Sequence, residues 1–172
     1  LYPVLRNKLS NTTIFKTSLC MAILGYALLL FASFMNLAHN MVVLCLIGAL
    51  VFSANGMLSV LTTVFLSTSV DYGEIKTGRR EESIIFSMQT FVVKLASGVA
   101  VFFAGLAIKW VGLIQPADGT SEVIEQSTGT LMGLSMMMTV VPIVLLIIGL
   151  VFFIRKYKLT EERMQEIMTK LR

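Results

Sequence analysis

The chain has 172 residues, of which 56% are hydrophobic and only 14% are charged. Soluble domains carry about 25% charged residues, so the composition excludes an ordinary soluble domain and predicts a membrane protein. The net charge of +4 does not indicate nucleic-acid binding, because the cations gather in connectors between apolar segments. Cys20 and Cys45 lie inside apolar segments and are expected to be packing residues rather than a disulfide.

Four apolar segments follow one another, each with the length of about 20 residues that a spanning helix requires. We predict an all-α membrane protein with transmembrane helices at residues 15–35, 41–69, 83–111 and 131–154. The remaining segments are a cytoplasmic connector at 1–14, a cytoplasmic loop at 70–82, an external loop at 112–130 and an amphipathic cytoplasmic tail at 155–172. The sequence opens LYPVLRNKLS, with no initiator Met and no signal-peptide pattern, and we expect a larger transporter to contain it.

The distribution of cations predicts the orientation of the helices. Of the fourteen lysines and arginines, all but Lys94 and Lys109 lie before or at the start of the first predicted helix, in the loop at 70–82 or in the tail. Cytoplasmic connectors carry an excess of Lys and Arg, so both chain ends are predicted to be cytoplasmic. Lys109 lies beside Trp110 at the opposite interface, where a lysine reaches toward water and an indole anchors the helix.

A polar stripe runs along the third predicted helix. Its members, spaced by four, three, four and three residues, are Ser83, Ser87, Thr90, Lys94 and Ser97, with Gln89 at the edge. This spacing places them on one helix face, and a charge near the bilayer midplane costs at least ~2.5–3.5 kcal/mol. No acidic residue lies within the four spans, so Lys94 either pairs with a partner helix to hold a bundle together or lines an aqueous pathway with Gln89 and Thr90.

Asn55, in FSANGM, lies in the middle of the second span and either lines the same cavity or bonds to a neighbouring helix. The connector DYGEIKTGRREE is densely charged and of mixed sign. We expect its charged side chains to form a salt-bridge network that acts as a cytoplasmic gate. The expected members are Asp71, Glu74, Arg79, Arg80, Glu81 and Glu82. Such surface pairs are individually weak, which suits a gate that opens.

The stretch VDYGEIKTGRREESIIFSMQTFVVKLASG resembles the segment between the tenth and eleventh helices of the glycoside–pentoside–hexuronide:cation symporters, the family that includes the melibiose carrier. The stretches IEQSTGTLMG and YKLTEERMQEI resemble the last external loop and the C-terminal tail of that family. The resemblance covers nearly the whole chain. It implies the last four of twelve helices in a major facilitator superfamily fold.

The resemblance also implies roles for individual residues. Lys94 matches the family lysine near the sugar and cation sites, and Gln89 and Thr90 match positions facing the sugar. Asp71 and Arg80 match residues of the inward gate. Ser59 takes the place of an aromatic residue that lines the sugar site of the melibiose carrier, and Ser59, Asn55 and Ser97 are candidates for lining the cavity. With Ser59 there, a xyloside, glucoside or glucuronide fits as well as a galactoside does.

These expectations favour symport of a glycoside or oligosaccharide, coupled to Na⁺ or H⁺, by alternating access. No bond is made or broken, so the chain is predicted not to be an enzyme. No cofactor and no metal site are expected here, and the coupling cation is expected to bind mainly in the N-terminal half of the transporter. The expected partners are that half, the sugar and the lipid of a bacterial inner membrane, with no nucleic acid. The alternatives are a four-helix membrane scaffold or assembly subunit, and a major facilitator exporter of another solute.

Overall fold

A computed structural model of the chain describes residues 5–6, 9–35, 37, 40–114 and 126–157. These residues form four long helices: α1 (Asn11–Phe34), α2 (Met41–Thr77), α3 (Glu82–Val111) and α4 (Thr128–Lys156). All four are long and apolar enough to cross a membrane, and the described residues contain no strand. The predicted all-α architecture with four membrane helices is confirmed. Of the predicted tail, residues 158–172 lie outside the described residues, as do 115–125 of the external loop.

Capping side chains start two of the helices earlier than the hydropathy pattern predicts. Ser10 accepts a hydrogen bond from the Thr13 N–H, so α1 begins at Asn11 rather than at residue 15. Ser127 likewise accepts from the Thr130 N–H, and α4 begins at Thr128 rather than at residue 131. A hydroxyl at this position satisfies a backbone donor that the first helical turn leaves without a partner. The first turns of α1 and α4 are therefore helical although most of their residues are polar.

The largest correction concerns the connector predicted at residues 70–82. Helix α2 continues through its first eight residues and ends only at Thr77. Nothing before Gly78 stops the helix, whereas Gly78 takes a left-handed conformation with φ 69° and donates its N–H to the Glu74 carbonyl oxygen at 2.8 Å. Glycine adopts this conformation without steric penalty. The predicted loop is thus the last two turns of α2 and a tight corner before α3.

Helix α1 occupies the centre of the described bundle and packs against both α2 and α4. Its buried residues recur at helical spacing, among them Ile14, Ala22 and Ala32. Ala32 joins Ile47 and Val51 of α2 in one apolar cluster. A second contact is aromatic: the Phe15 ring of α1 lies 4.3 Å from Phe153 of α4 and 5.3 Å from Phe65 of α2, centroid to centroid. Helices α1, α2 and α4 are therefore tied together at one end.

Helix α3 stands apart from this group. Ala107 is its only buried residue, and its contacts with α2 and α4 are few. Near its C-terminal end the Val111 carbonyl oxygen accepts a hydrogen bond from the Thr130 hydroxyl at 3.2 Å. Over the first three-quarters of α3, side chains on both the polar and the apolar face are exposed. The other three helices therefore do not cover the polar stripe.

Candidate functional site

The polar face of α3 carries the group of residues that sequence reasoning placed at the centre of the site. All five members of the stripe, Ser83 through Ser97, are exposed. The hydroxyls of Ser87, Thr90 and Ser97 each donate to a backbone carbonyl of their own helix, those of Ile84, Phe86 and Val93, at 2.9 Å in every case. Each hydroxyl has therefore used its single donor within the helix. Its oxygen remains able to accept a hydrogen bond from a solute hydroxyl.

Lys94 lies in this face as an exposed cation. Its ammonium group makes no ion pair and no hydrogen bond with any residue that the structure describes. It offers three donors and no acceptor, which complements the acceptor oxygens of its neighbours on the helix. The carboxylates of α2 and α3, namely Asp71, Glu74 and Glu82, bind Arg80 and not Lys94. This face thus combines one cation with several hydroxyl acceptors, an arrangement suited to a hydroxyl-rich solute.

Gln89 is half-buried beside the stripe, at its edge rather than within it. Its side-chain amide has no hydrogen-bond partner among the described residues, so both its donor and its acceptor atoms are available. An amide of this kind can bond to a hydroxyl as donor and acceptor at once.

The candidates on α2 form a separate polar face. The Asn55 side-chain amide donates to the Val51 carbonyl oxygen at 3.0 Å, and Ser59 is exposed. Thr62, which was not among the predicted candidates, is also exposed and lies three residues beyond Ser59, on the same face at helical spacing. That spacing was the signal that would have found it. Within the described residues, no hydrogen bond joins Asn55 or Ser59 to the α3 group.

Arg80 organises the corner between α2 and α3. Its guanidinium bonds to three carboxylates: Glu74 at 2.8 Å, Glu82 at 3.1 Å and Asp71 at 3.3 Å. The hydrogen bonds to Glu74 and Glu82 raise the pKa of Arg80 above its ordinary value, which by itself already keeps an arginine charged. Glu82 begins α3, whereas Asp71 and Glu74 belong to α2. The Arg80 guanidinium therefore links the C-terminal end of α2 to the N-terminal end of α3.

Arg79, predicted to belong to the same network, does not join it. Its side chain is exposed and makes no ion pair with a described residue, and its backbone N–H bonds to the Thr77 hydroxyl at 3.4 Å. The network is local, since all three of Arg80's partners lie between Asp71 and Glu82. It fixes the shape of the corner rather than joining two distant parts of these four helices.

Metal-binding side chains do not converge in the described part of the chain. Among residues 5–6, 9–35, 37, 40–114 and 126–157, no three His, Cys, Asp or Glu side chains are grouped as a metal site requires. The described site residues offer hydrogen bonding and charge: Lys94, the hydroxyls and amides of α2 and α3, and an arginine–carboxylate cluster at the corner.

Comparison with known proteins identifies the family. Residues 1–161 match the family described as MFS/sugar transport protein. The chain belongs to this family, and it is a membrane protein with four helices of spanning length. This result confirms the resemblance to a family of sugar carriers that was drawn from the DYGE and QTFVVK stretches.

Three relatives align over 99% of the chain. The lactose permease of Lactobacillus helveticus is 26% identical and is covered over 25% of its length. The lactose permease of Lactobacillus delbrueckii subsp. bulgaricus is 28% identical, with 26% of its length covered. The raffinose carrier protein of Pediococcus pentosaceus is 26% identical, with 25% covered. These relatives are carriers and permeases, which confirms the prediction that the chain is not an enzyme.

The chain spans about a quarter of the length of the curated relatives it matches. No solved structure gives a significant match to it.

Proposed function

We propose that the chain supplies the last four of twelve helices in a secondary transporter that carries a glycoside or oligosaccharide together with Na⁺ or H⁺. The observation that carries this proposal is the exposed face of α3, where Lys94 has no described ion-pair partner and the hydroxyl oxygens beside it are free to accept. Family membership and relatives named as lactose permeases and a raffinose carrier protein support a sugar as the solute.

In this mechanism the α3 face forms one wall of a binding site near the bilayer midplane. A sugar that leaves water must replace a hydrogen bond for each of its hydroxyls, because an unsatisfied polar group costs about 1–3 kcal/mol. Thr90 accepts from one sugar hydroxyl, and Gln89 accepts from and donates to others. Lys94 donates to the sugar and responds to a carboxylate on the N-terminal half of the transporter, which is also where the coupling cation binds.

Transport then follows from alternate opening of this site to the two sides of the membrane by rocking of helix bundles. The cation distribution supports an orientation in which both ends of the chain and the α2–α3 corner face the cytoplasm of a bacterium. The α2–α3 corner, which is stabilised by the ion pairs of Arg80 with Asp71 and Glu74, takes part in closing the cytoplasmic side of the transporter. Asn55, Ser59 and Ser97 line the cavity, and Thr62 extends its α2 side.

The proposal is tested by replacing Lys94 with Met in the full-length transporter and measuring uptake of labelled glycosides with and without sodium, and across an imposed proton gradient. The matched control is Lys109→Met, which removes the only other lysine of α3 at its far end. We expect the Lys94 variant to reach the membrane in normal amount and to lose coupled uptake, while the control retains it. The scaffold alternative predicts instead that the transporter fails to assemble without Lys94. It also predicts that revertants without a lysine at position 94 take up the glycoside normally.

A further inference from the structure

The cations near the ends of α1 and α4 differ from Arg80 of the corner. Lys16 of α1 and Arg155 and Lys156 of α4 are exposed, and none makes an ion pair with a described residue. Neither helix contains an Asp or Glu anywhere along its length. At the corner, in contrast, Arg80 bonds to three carboxylates. Lys16, Arg155 and Lys156 are therefore uncompensated among the described residues, as Lys76 and Arg79 are, whereas Arg80 is paired with carboxylates.

The aromatic cluster brings the uncompensated cations to one depth. Phe15 precedes Lys16 and lies 4.3 Å from Phe153, which in turn stacks on Tyr157 at 4.7 Å. An α-helix rises about 1.5 Å per residue. Lys16 is therefore one residue along α1 from the Phe15 contact, and Arg155 and Lys156 are two and three residues along α4 from the Phe153 contact. The three cations thus cluster at similar depth, at the ends of α1 and α4 next to the aromatic contact.

We propose that this cluster, named here the α1–α4 basic patch and made of Lys16, Arg155 and Lys156, binds the phosphate headgroup of an anionic phospholipid. Long basic side chains at helix ends extend their charged groups to the membrane interface, and anionic lipids attract cations held there. The half-buried Tyr157 places a phenol at the same level, which suits the boundary between acyl chains and headgroups. The inward-facing orientation of the patch rests on the proposed function, whereas the clustering does not.

The patch is a lipid site rather than a site for a soluble anion because of its position. Residues next to the cations along α4, such as Phe152 and Ile154, are exposed apolar side chains, so the same ligand must present both a phosphate to the cations and hydrocarbon to the helix below them. A phospholipid does both, whereas free phosphate satisfies only the charges.

Spin-labelled phosphatidylglycerol tests this directly. The full-length transporter is reconstituted in phosphatidylcholine vesicles, and the motionally restricted fraction of the label gives the association constant relative to labelled phosphatidylcholine. The variant is Arg155→Gln with Lys156→Gln. The matched control is Lys76→Gln with Arg79→Gln, which removes two cations from the same side of the membrane, neither of them in a described ion pair.

We expect the wild-type protein to prefer phosphatidylglycerol and the Arg155/Lys156 variant to lose about fivefold in relative association for each cation removed, with less than a twofold change in the control. Equal losses in both double variants, or no preference in the wild type, would overturn the proposal. Displacement of the label by millimolar inorganic phosphate would also overturn it, since a soluble anion would then be the ligand. Failure of the proposed function would appear separately, as absence of sugar uptake with the lipid preference intact.

Discussion

Gly25 of α1 and Val51 of α2 lie in such close contact that a single added methyl group has no room between them. A Cβ atom on Gly25 would stand 2.6 Å from Cγ2 of Val51. Val51 is buried in the apolar cluster that joins the two helices, and its β-branched side chain has little rotational freedom. Small residues at such crossings let membrane helices approach closely, so Gly25 sets the distance between α1 and α2.

Replacing Gly25 with Ala in the full-length transporter is therefore expected to lower the free energy of unfolding by about 1–3 kcal/mol, as other overpacked cores are destabilised. Thermal unfolding in detergent, followed by the monomeric fraction on size exclusion, measures this. Gly149→Ala is the control, because nothing described lies within 4 Å of the Cβ it would add. The double variant Gly25→Ala/Val51→Ala restores the space, and a double variant no more stable than Gly25→Ala would refute the steric explanation.

The two adjacent arginines at the corner are expected to behave differently. Arg80→Gln removes the only cation among the described residues that contacts Asp71, Glu74 and Glu82, so we expect a severalfold lower initial rate of glycoside uptake. Arg79→Gln removes a cation without an ion pair among the described residues and is expected to change the rate less than twofold. Arg80→Lys is expected to restore uptake in part, because an ammonium cannot present a planar fork to several carboxylates. Similar rates for the Arg79 and Arg80 variants would contradict a role for this network.

Thr90 allows the contribution of one sugar contact to be isolated. Thr90→Val keeps the shape of the side chain and removes the hydroxyl oxygen left free to accept, so one hydrogen bond of about 0.5–1.5 kcal/mol is lost. We expect KM for the glycoside to rise about two- to tenfold, and Thr90→Ser to restore it. A normal KM in Thr90→Val would show that the sugar does not meet this hydroxyl.

Gln126, just before α4, is hydrogen-bonded to Ile114, just after α3. Its side-chain NH₂ donates to the Ile114 carbonyl oxygen at 2.8 Å, and its side-chain oxygen accepts from the Ile114 N–H at 3.2 Å. We expect Gln126→Ala to speed amide hydrogen exchange at Ile114 by up to about tenfold, since a hydrogen bond of about 1 kcal/mol is lost. Gln126→Glu keeps the acceptor and is expected to leave Ile114 protected. Exchange at Ile114 that is equally fast in both variants would disprove the proposed bonding.

The long apolar runs made the four helices predictable, but their ends depended on other signals. Ser10 and Ser127 can be recognised in the sequence as N-caps, and Gly78 as a C-terminal stop. Hydropathy alone assigned all three residues to connectors. The sequence could not show that Arg80, rather than Arg79, binds the carboxylates, because this depends on the direction that the chain takes after Gly78. For the site, helical spacing predicted which α3 residues share a face. It could not show that the other three helices leave that face uncovered, since this depends on tertiary packing.

The uninterrupted length of α2 has a mechanical consequence. With 37 residues and about 1.5 Å of rise for each, it extends about 55 Å, well beyond a hydrocarbon layer about 30 Å thick. Asp71 and Glu74, which bind Arg80, and the amide of Asn55 therefore lie on one continuous helix. Any rigid-body tilt of α2 at its C-terminal end would displace Asn55 as well, because no break in the helix separates the two.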